Sequence, residues 1–483
     1  MPVRGRRRMP RLLLIAIGAL WVAGCQLAPE HRRPLLPTVE HYPGALEPQQ
    51  GSVVASEITW PAFFRDPRLR MLIGTALEYN RDMRIAVLRV EEARGQYRVR
   101  DAERYPTVGL DAAAVRSRSN IPGGTGAAAA GGLSGGISER YSVEVGVTAF
   151  ELDFWGRVRN LSEAARAEYL ATVQAQRAFQ LSLIGDVAST YMAIRSAEQR
   201  LQLALSTVEN RRDEVRISKV RLDAGIASAL EYNQAKALLA QAETQLSEIR
   251  LLLARQSNYL RLLVGTVPDA RPPEPLPLNR QLLEPALAAG LPSQLLYSRP
   301  DIIAAEERLR AARANIGVAR AAFFPRISLT GSAGYASAEL DGLVSGENRI
   351  WSIGPSVSLP IFDFGGRRAN LTVAEARENI AVAEYERTVQ AAFREVADAL
   401  AGRRYLAEQL ARQEGNVRTL RNIAELADVR YDEGVVNFLQ VLDAERSLFD
   451  AEQALLQIRR AQLENLVALY VSLGGGTRAG AEQ

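Results

Sequence analysis

The side chains that perform most enzyme chemistry are scarce in this sequence. It holds one cysteine, Cys25, and two histidines, His31 and His41. Zinc sites, cysteine or histidine nucleophiles and Ser/His/Asp triads need more of these residues than the chain supplies. The glycine-rich run at 131–136 lacks the Lys-Ser/Thr of a phosphate-binding loop, and no dinucleotide fingerprint is present. We therefore expect no enzyme and no metal site. An enzyme whose active site uses carboxylates alone is the remaining catalytic alternative.

The first 24 residues have the form of a lipoprotein signal peptide. Five arginines precede an apolar run at 12–22 that is too short to span a membrane as a helix. The run Val22-Ala-Gly-Cys25 resembles a bacterial lipobox, whose cysteine becomes the lipidated mature N-terminus, and Gln26 after it is compatible with outer-membrane sorting. We therefore expect a covalent lipid on Cys25 and no other cofactor. An ordinary signal peptide with an incidental cysteine is the alternative.

The formal net charge of +4 would favour a polyanion-binding protein, but the excess lies in the signal. Removing its five arginines from 59 basic residues leaves 54 against 55 acidic ones, a net charge of about −1. The mature chain therefore gives no argument for a nucleic-acid partner. Met9 is an alternative start to Met1, and it changes nothing in the mature chain.

One sequence pattern occurs twice. It is a strand of alternating apolar and polar residues, followed by an aromatic turn and then a helix. Asp153-Phe154 and Gly156-Arg157 in the first copy match Asp363-Phe364 and Gly366-Arg367 in the second. Before each corner the apolar residues fall on odd positions, as in a half-buried strand, and after it the period becomes helical. The chain is therefore one duplicated unit.

The predicted elements follow the same order in both copies. Pro106 ends the first helix, the absence of proline between residues 157 and 222 permits a long one, and Gly225 breaks it. We predict a helix at 60–104, strands at 108–114 and 141–150, helices at 157–222 and 228–263, then helix 301–324, strands 327–335 and 351–362, and helices 367–431 and 436–473.

These elements divide the chain into six segments. We assign a signal peptide at 1–24, a lipid-anchored tether at 25–60, a first repeat at 61–266, a proline-rich linker at 267–300, a second repeat at 301–476 and a flexible tail at 477–483.

Two strands per copy give four strands per chain, which are too few for a barrel. Small membrane barrels need about eight strands, and an unclosed sheet edge in lipid leaves backbone groups without partners. We therefore expect a homotrimer whose twelve strands close around an open lumen. A soluble sandwich with helical arms is the alternative.

The long helices are expected to stand in water, since nothing after residue 24 approaches 18 consecutive apolar residues. Sixty-odd residues at about 1.5 Å each make a helix of roughly 100 Å, and the heptad-like spacing of its apolar residues predicts a coiled coil. A barrel in one membrane with such helices beneath it would cross much of a periplasm.

The combined motifs resemble the TolC-like outer-membrane factors, specifically the NodT-like efflux lipoprotein branch. The resemblance covers residues 25–476 and rests on the duplicated unit and the lipobox, together with the runs Gly290-Leu-Pro-Ser-Gln-Leu-Leu-Tyr-Ser-Arg-Pro-Asp-Ile302 and Leu469-Tyr-Val-Ser-Leu-Gly-Gly-Gly476. It implies an α+β membrane protein: a trimeric 12-stranded outer-membrane β-barrel continued by a long periplasmic α-helical coiled-coil barrel.

The resemblance also implies a function and partners. The chain would be the outer-membrane exit duct of a tripartite efflux system, passively exporting drugs and other toxic small molecules. A periplasmic adaptor and an inner-membrane pump of the RND type would hand these over. The alternatives are a duct for type I protein secretion and a lipid-anchored periplasmic coiled-coil scaffold.

The resemblance also implies a closable aperture at the periplasmic helix turns. The matching residues are Asp443, which would form a ring of three carboxylates, its expected hydrogen-bonding neighbours Tyr431 and Glu231, and Gln440, where some relatives carry a second acid. The alternative is that Asp443 and Glu231 are ordinary surface residues on solvent-exposed helix faces.

Gly225 and Gly434 match the helix turns that adaptor proteins contact. As structure alone, each glycine permits the positive φ that ends a helix, and both interpretations can hold together.

Overall fold

A computed structural model describes residues 26–34, 53–118, 137–266, 272–282, 287–288 and 296–477. Cys25 and the predicted signal peptide at 1–24 lie outside the described residues, as does nearly all of the predicted tail at 477–483. Much of the predicted tether and parts of the predicted linker also lie outside them.

Eight helices of four residues or more and six strands make up these parts of the chain. The helices are α1 Trp60–Phe63, α2 Pro67–Tyr79, α3 Arg81–Ala102, α4 Arg157–Asp223, α5 Ala229–Val264, α6 Pro300–Ala321, α7 Gly366–Asp432 and α8 Phe438–Ser472. The strands are β1 Val53–Val54, β2 Val108–Arg118, β3 Ile137–Glu151, β4 Leu287–Ala288, β5 Arg326–Ser337 and β6 Arg349–Ser358. Short 3-10 turns cover Ala55–Glu57, Leu278–Arg280 and Gly346–Asn348.

The four long helices confirm the sequence-based prediction within a few residues at either end. α4 and α7 contain 67 residues each, and each is followed by a shorter helix of 36 or 35 residues. None of the helices in the described ranges has the length and apolarity needed to cross a membrane.

The four long strands form one antiparallel sheet in the order β2-β3-β5-β6. Each copy contributes a hairpin, β2 with β3 and β5 with β6, and the two hairpins meet where β3 pairs with β5. A bulge follows Val147, where Ala149 takes a positive φ of 53°. β6 ends at Ser358 and not at Phe362 as predicted, because Pro360 has no N–H to donate to a strand ladder.

The single helix predicted at 60–104 is wrong, because local capping divides this segment into α1, α2 and α3. Asp66 begins α2: its carboxylate accepts from the backbone N–H of Arg68, and Pro67 occupies the first helical position. Asn80 has extended backbone angles between α2 and α3, and its side-chain oxygen accepts from the N–H of Met83. Apolar periodicity continues across both breaks, so it could not reveal them.

The contacts divide the chain into two compact units. The first contains Glu91–Leu170 and Glu306–Ala383 with the described residues of Met1–Arg33, and it includes the whole four-stranded sheet. The second contains Pro34–Val90, Ala171–Ala305 and Glu384–Gln483. Its core includes Tyr470, whose ring stacks on Phe63 at 4.2 Å between centroids and whose hydroxyl donates to the Ile58 carbonyl oxygen.

Asp66 links three segments of the second unit through one buried carboxylate. Beyond capping α2, it accepts a hydrogen bond of 2.9 Å from the Tyr191 hydroxyl and one of 3.1 Å from the backbone N–H of Leu276. Burial, with the nearby Asp66 carboxylate as the next cause, raises the pKa of Tyr191 and keeps its hydroxyl a donor. The carboxylate therefore joins α2, α4 and the segment before the second repeat.

We predict that Asp66→Ala lowers the free energy of unfolding by about 3 kcal/mol, because it leaves a buried hydroxyl and a buried N–H unpaired and removes a helix cap. Tyr191→Phe removes one of these bonds and should cost about 1 kcal/mol. Denaturant unfolding of the detergent-solubilised protein measures both. Equal losses for the two variants would contradict a linking role for Asp66.

Candidate functional site

The two turns that join the long helices have the same backbone geometry. Gly225 and Gly434 have φ values of 71° and 72°. Gly225 N–H donates to the Leu222 carbonyl and Ile226 N–H to that of Arg221, and the turn at Gly434 repeats both bonds. This pattern is the Schellman motif, which requires a left-handed residue directly after the helix. A Cβ at either glycine would meet open space, so the conformation and not crowding favours glycine.

The residue three positions after each glycine is the N-cap of the next helix, and its side chain caps that helix. Ser228 accepts from the N–H of Glu231, and Asn437 accepts from the N–H of Gln440, each at 3.2 Å. Glu231 and Gln440 therefore occupy equivalent positions in the first turns of α5 and α8. A Ser-x-x-Glu spacing is that of a capping box, so Glu231 has a local reason to be present.

Asp443 lies one turn further along α8 and is exposed over 61% of its side chain. Within the chain its carboxylate pairs with Arg446, one helical turn away. Tyr431 and Glu231, its predicted neighbours, make no described hydrogen bond to it. If three chains brought their Asp443 carboxylates together, each carboxylate would carry its own Arg446 partner. This pair was not predicted from the sequence, although the i, i+3 spacing of the two residues is visible there.

The Tyr431 ring contacts the aromatic ring of Phe438 and the guanidinium of Arg221. Its centroid lies 5.2 Å from that of Phe438, and the Arg221 guanidinium lies 5.3 Å above it. Tyr431 belongs to α7, Phe438 to α8 and Arg221 to α4. The aromatic contact and the cation–π contact therefore hold the ends of three helices together.

The turns also expose apolar side chains. Ile226 and Val435, directly after the two glycines, are 70% and 64% exposed. Further exposed apolar residues of this surface are Leu230, Leu439, Val220 and Val429. Clustered exposed apolar groups on a protein surface favour a contact with another protein.

A buried ion cluster, not expected from the sequence, joins α4 to α8 near these turns. The Arg211 guanidinium donates to Glu214 and to Glu445, each at 2.7 Å. Arg211 is buried, and burial raises the pKa of Glu214 to about 7; Arg211 opposes this rise and the Glu445 charge adds to it. Since 234 positions separate Arg211 and Glu445, no local spacing could have revealed the contact.

A second buried arginine explains one of the sequence motifs. Arg299, in the run Ser-Arg-Pro-Asp, forms a two-bond pair with Asp301, donates to Glu395 at 2.8 Å and donates to the Ser472 carbonyl. These residues lie at the start of α6, in α7 and at the end of α8. Arg299 is thus a structural link between these helices.

Comparison with known proteins identifies the family. Residues 72–266 and 291–475 match the family described as outer membrane efflux protein. The chain belongs to the outer membrane efflux protein family. It is 42% identical over 477 residues to the solvent efflux pump outer membrane protein SrpC of Pseudomonas putida, covering 97% of this chain and 98% of that protein.

Two further relatives agree with this assignment. The outer membrane protein OprJ of Pseudomonas aeruginosa is 42% identical over 463 residues, which cover 95% of this chain and 94% of OprJ. The open state of the Neisseria gonorrhoeae MtrE outer membrane channel superposes with a TM-score of 0.85 at 37% identity, covering 94% of this chain and 99% of MtrE.

Membership of the outer membrane efflux protein family confirms three predictions. The fold class is that of the TolC-like outer-membrane channels, with four strands per chain and a duplicated strand-pair and helix unit. The protein is an outer-membrane efflux channel component, and it is not an enzyme.

We predict that Glu214→Gln flattens the pH dependence of stability. Because the pKa of Glu214 is raised on folding, its contribution is full below pH 4.5 and is lost as the pH rises through about 7. The thermal midpoint of the wild type should fall between pH 5 and pH 8 by the equivalent of about 2 kcal/mol, and Glu214→Gln should remove this fall. Glu209→Gln, an exposed acid on the same helix, is the control. Identical slopes for all three proteins would contradict the prediction.

Proposed function

We propose that this protein is the exit duct of a tripartite efflux system and passes small toxic molecules out through the outer membrane. The observation that carries the proposal is the match over nearly the whole chain to outer membrane proteins of efflux pumps, on a four-stranded sheet continued by long helices. The duct performs no chemistry and takes its energy from the pump.

Small apolar compounds and drugs are the proposed substrates. SrpC is named for solvent efflux, and the named function of this relative supports the substrate class. A duct for type I protein secretion is the alternative within the same class. A periplasmic scaffold is the alternative outside it, and it would conduct no ions.

The proposed assembly is a homotrimer with an adaptor and an inner-membrane pump of the RND type. The apolar residues at the turns, Ile226 and Val435 among them, supply a surface on which an adaptor could bury apolar area. The identical backbone motifs at Gly225 and Gly434 present this surface twice per chain, so a trimer would present it six times.

A lipid on Cys25 would anchor the chain at the membrane that the strands enter. The segment after Cys25 lies along α6: Arg320 donates to the Leu27 carbonyl and Arg313 to that of Arg32. Arg320 is six residues before the first residue of β5. Leu27, two positions after the proposed lipid attachment in the sequence, therefore lies close to the helix end that leads into β5. One lipid chain alone binds membranes weakly, and the strands would supply the remaining attachment.

Asp443, with Gln440 one turn before it, would line the narrowest part of the duct. Three carboxylates around one axis repel each other or hold a cation, and the pairing with Arg446 reduces this repulsion. Tyr431 and Glu231 belong to the same set of helix ends, where they would fix the inner helices against the outer ones. Gln440 carries no charge, so the ring holds one acid per chain.

We predict small single-channel conductance for the wild-type mature protein in planar bilayers and a severalfold larger conductance for Asp443→Ala. Removal of the carboxylate both widens the constriction and frees Arg446, which changes the ion selectivity away from cations. Asp450→Ala removes the same charge two helical turns further along α8 and should leave the conductance within twofold.

Three outcomes separate the proposals. An increase confined to Asp443→Ala supports the gated duct. Equal conductance in all three proteins leaves the duct standing and removes Asp443 from the gate. No conductance from any folded, membrane-inserted preparation contradicts the duct and favours the scaffold.

A further inference from the structure

The first residues that the structure describes, 26–34, lie along helix α6. The Arg320 guanidinium donates to the Leu27 carbonyl at 3.2 Å, and that of Arg313 donates to the Arg32 carbonyl at 2.7 Å. Residue numbers rise along the segment as they fall along the helix, so the two run antiparallel. Side chains of α6 thus hold the segment by its backbone oxygens.

The contacts come from one face of α6. The residues of this face recur at spacings of four, three, four and three positions, as neighbours on one side of a helix do: Glu306, Arg310, Arg313, Gly317 and Arg320. Gly317 lets the segment approach closely, since a Cβ there would lie 2.8 Å from the Cβ of Ala28. The face therefore fits this segment of the chain.

His31 is bonded through both ring nitrogens. Its Nδ1 lies 3.1 Å from an Arg313 guanidinium nitrogen, and its Nε2 lies 3.1 Å from the Glu306 carboxylate. A guanidinium has no acceptor, so Nδ1 must carry the lone pair and accept the hydrogen bond. Nε2 then carries the only ring proton and donates to Glu306. His31 is neutral in this arrangement.

The imidazole is surrounded by charges of both signs. The charged groups on the elements that meet there are, on α6, Glu306, Arg310 and Arg313; on α7, Glu378; and on the segment itself, Glu30, Arg32 and Arg33. Glu306 already accepts from Arg33 at 3.0 Å and from Arg310 at 3.1 Å. Arg313 donates to Glu378 at 2.8 Å. Glu306 therefore has two permanent cations, and Arg313 cannot turn away from the imidazole without leaving its own partner.

These surroundings favour the neutral imidazole. Burial lowers the pKa of His31 below its ordinary value; the hydrogen bond to Glu306 opposes this shift, and the charges of Arg310 and Arg313 add to it. Because the pKa is lowered in the attached state, the attachment is complete above about pH 6.5, the ordinary value for a histidine. It is lost as the pH falls below that value.

We propose that His31 makes the attachment of residues 26–34 to α6 sensitive to acid: the neutral imidazole holds the segment, and a proton on Nδ1 releases it. The proton would place an N–H of the imidazole against an N–H of Arg313, where two donors face each other without an acceptor. The inference goes beyond the proposed function, since it concerns the segment that follows Cys25 and not the duct.

Proteolysis of the full mature chain in lipid nanodiscs tests the release. Glu30 is exposed, so a glutamate-specific protease can cut the bond between Glu30 and His31 once the segment leaves α6. The cleavage rate is measured by mass spectrometry at pH 7.5 and pH 5.5. Each rate is divided by that of a free peptide of residues 26–34 with the same sequence at the same pH, which removes the pH dependence of the protease.

We expect this relative rate to rise severalfold in acid for the wild type. The rise should not exceed about tenfold, because a group whose pKa in the released segment is about 6.5 gains at most a factor of ten for one pH unit below it.

Three variants assign the effect. His31→Gln keeps a neutral donor and an acceptor, so its relative rate should be low at both pH values. Arg313→Gln replaces the opposing donor by an amide whose oxygen can accept from a protonated Nδ1, so the rise in acid should disappear, even though the lost bond to the Arg32 carbonyl raises the rate at both pH values. His41→Gln removes the only other histidine of the chain and should behave as the wild type.

Histidine-selective nitrogen-15 labelling examines the imidazole directly. The wild type gives two histidine signals, and His41→Gln assigns them. We expect His31 to carry its proton on Nε2 at pH 7.5 and to titrate below about pH 6.5. A protonated His31 at pH 7.5, or a neutral one with its proton on Nδ1, would overturn the proposal.

Two results of the proteolysis would also overturn it. Equal relative rates at both pH values in the wild type would show that acid does not release the segment. A rise in acid that His31→Gln retains would assign the release to another group. Neither result bears on channel conductance, which decides the proposed function separately.

Discussion

The structure depends on one physical constraint: a β-sheet in lipid cannot have unpaired edge strands. Every backbone N–H and C=O in the hydrocarbon region needs a partner, and the outer strands of an open sheet carry a row of groups without one. One chain supplies four strands in the order β2-β3-β5-β6 and therefore two open edges. A single chain cannot satisfy those edges at this strand number, so assembly is part of the fold.

The duplication determines what the assembly can look like. Each copy contributes a hairpin and two long helices. Within one chain the two copies are joined by the pairing of β3 with β5 and by the Trp155–Phe324 stack. The long helices show the same duplication, since α4 and α7 have equal lengths and end in turns with the same hydrogen bonds. The two turns differ at the equivalent positions Glu231 and Gln440.

Helix ends and strand pairs followed from the sequence because local chemistry determines them. The Asp-Ala-Gly225 and Asp-Glu-Gly434 breaks predicted both turns, and the change from period 2 to a helical period after Gly156 and Gly366 predicted both strand-to-helix corners. The breaks at Asp66 and Asn80 were missed since the capping side chains interrupt a helix whose apolar pattern continues across them. Spacing alone does not distinguish a cap from a surface residue.

The polar contacts around the candidate gate could be predicted only in part. The position of Asp443 near a helix turn followed from the sequence, and its pairing with Arg446 is a local one that the spacing contains. The pairing of Arg211 with Glu445 and the packing of Arg221 over Tyr431 depend on which helices become neighbours. Tertiary packing determines which helices become neighbours, so no sequence motif predicts these contacts.

We propose that three copies of this chain close one water-filled barrel in a lipid bilayer. Electron cryomicroscopy of the mature protein in lipid nanodiscs would show this assembly. We expect three chains around one axis, twelve strands enclosing an open lumen at the depth of the lipid, and the three Asp443 side chains facing that axis. A single chain or a pair of chains in the disc, or strands that lie outside the lipid, would contradict it.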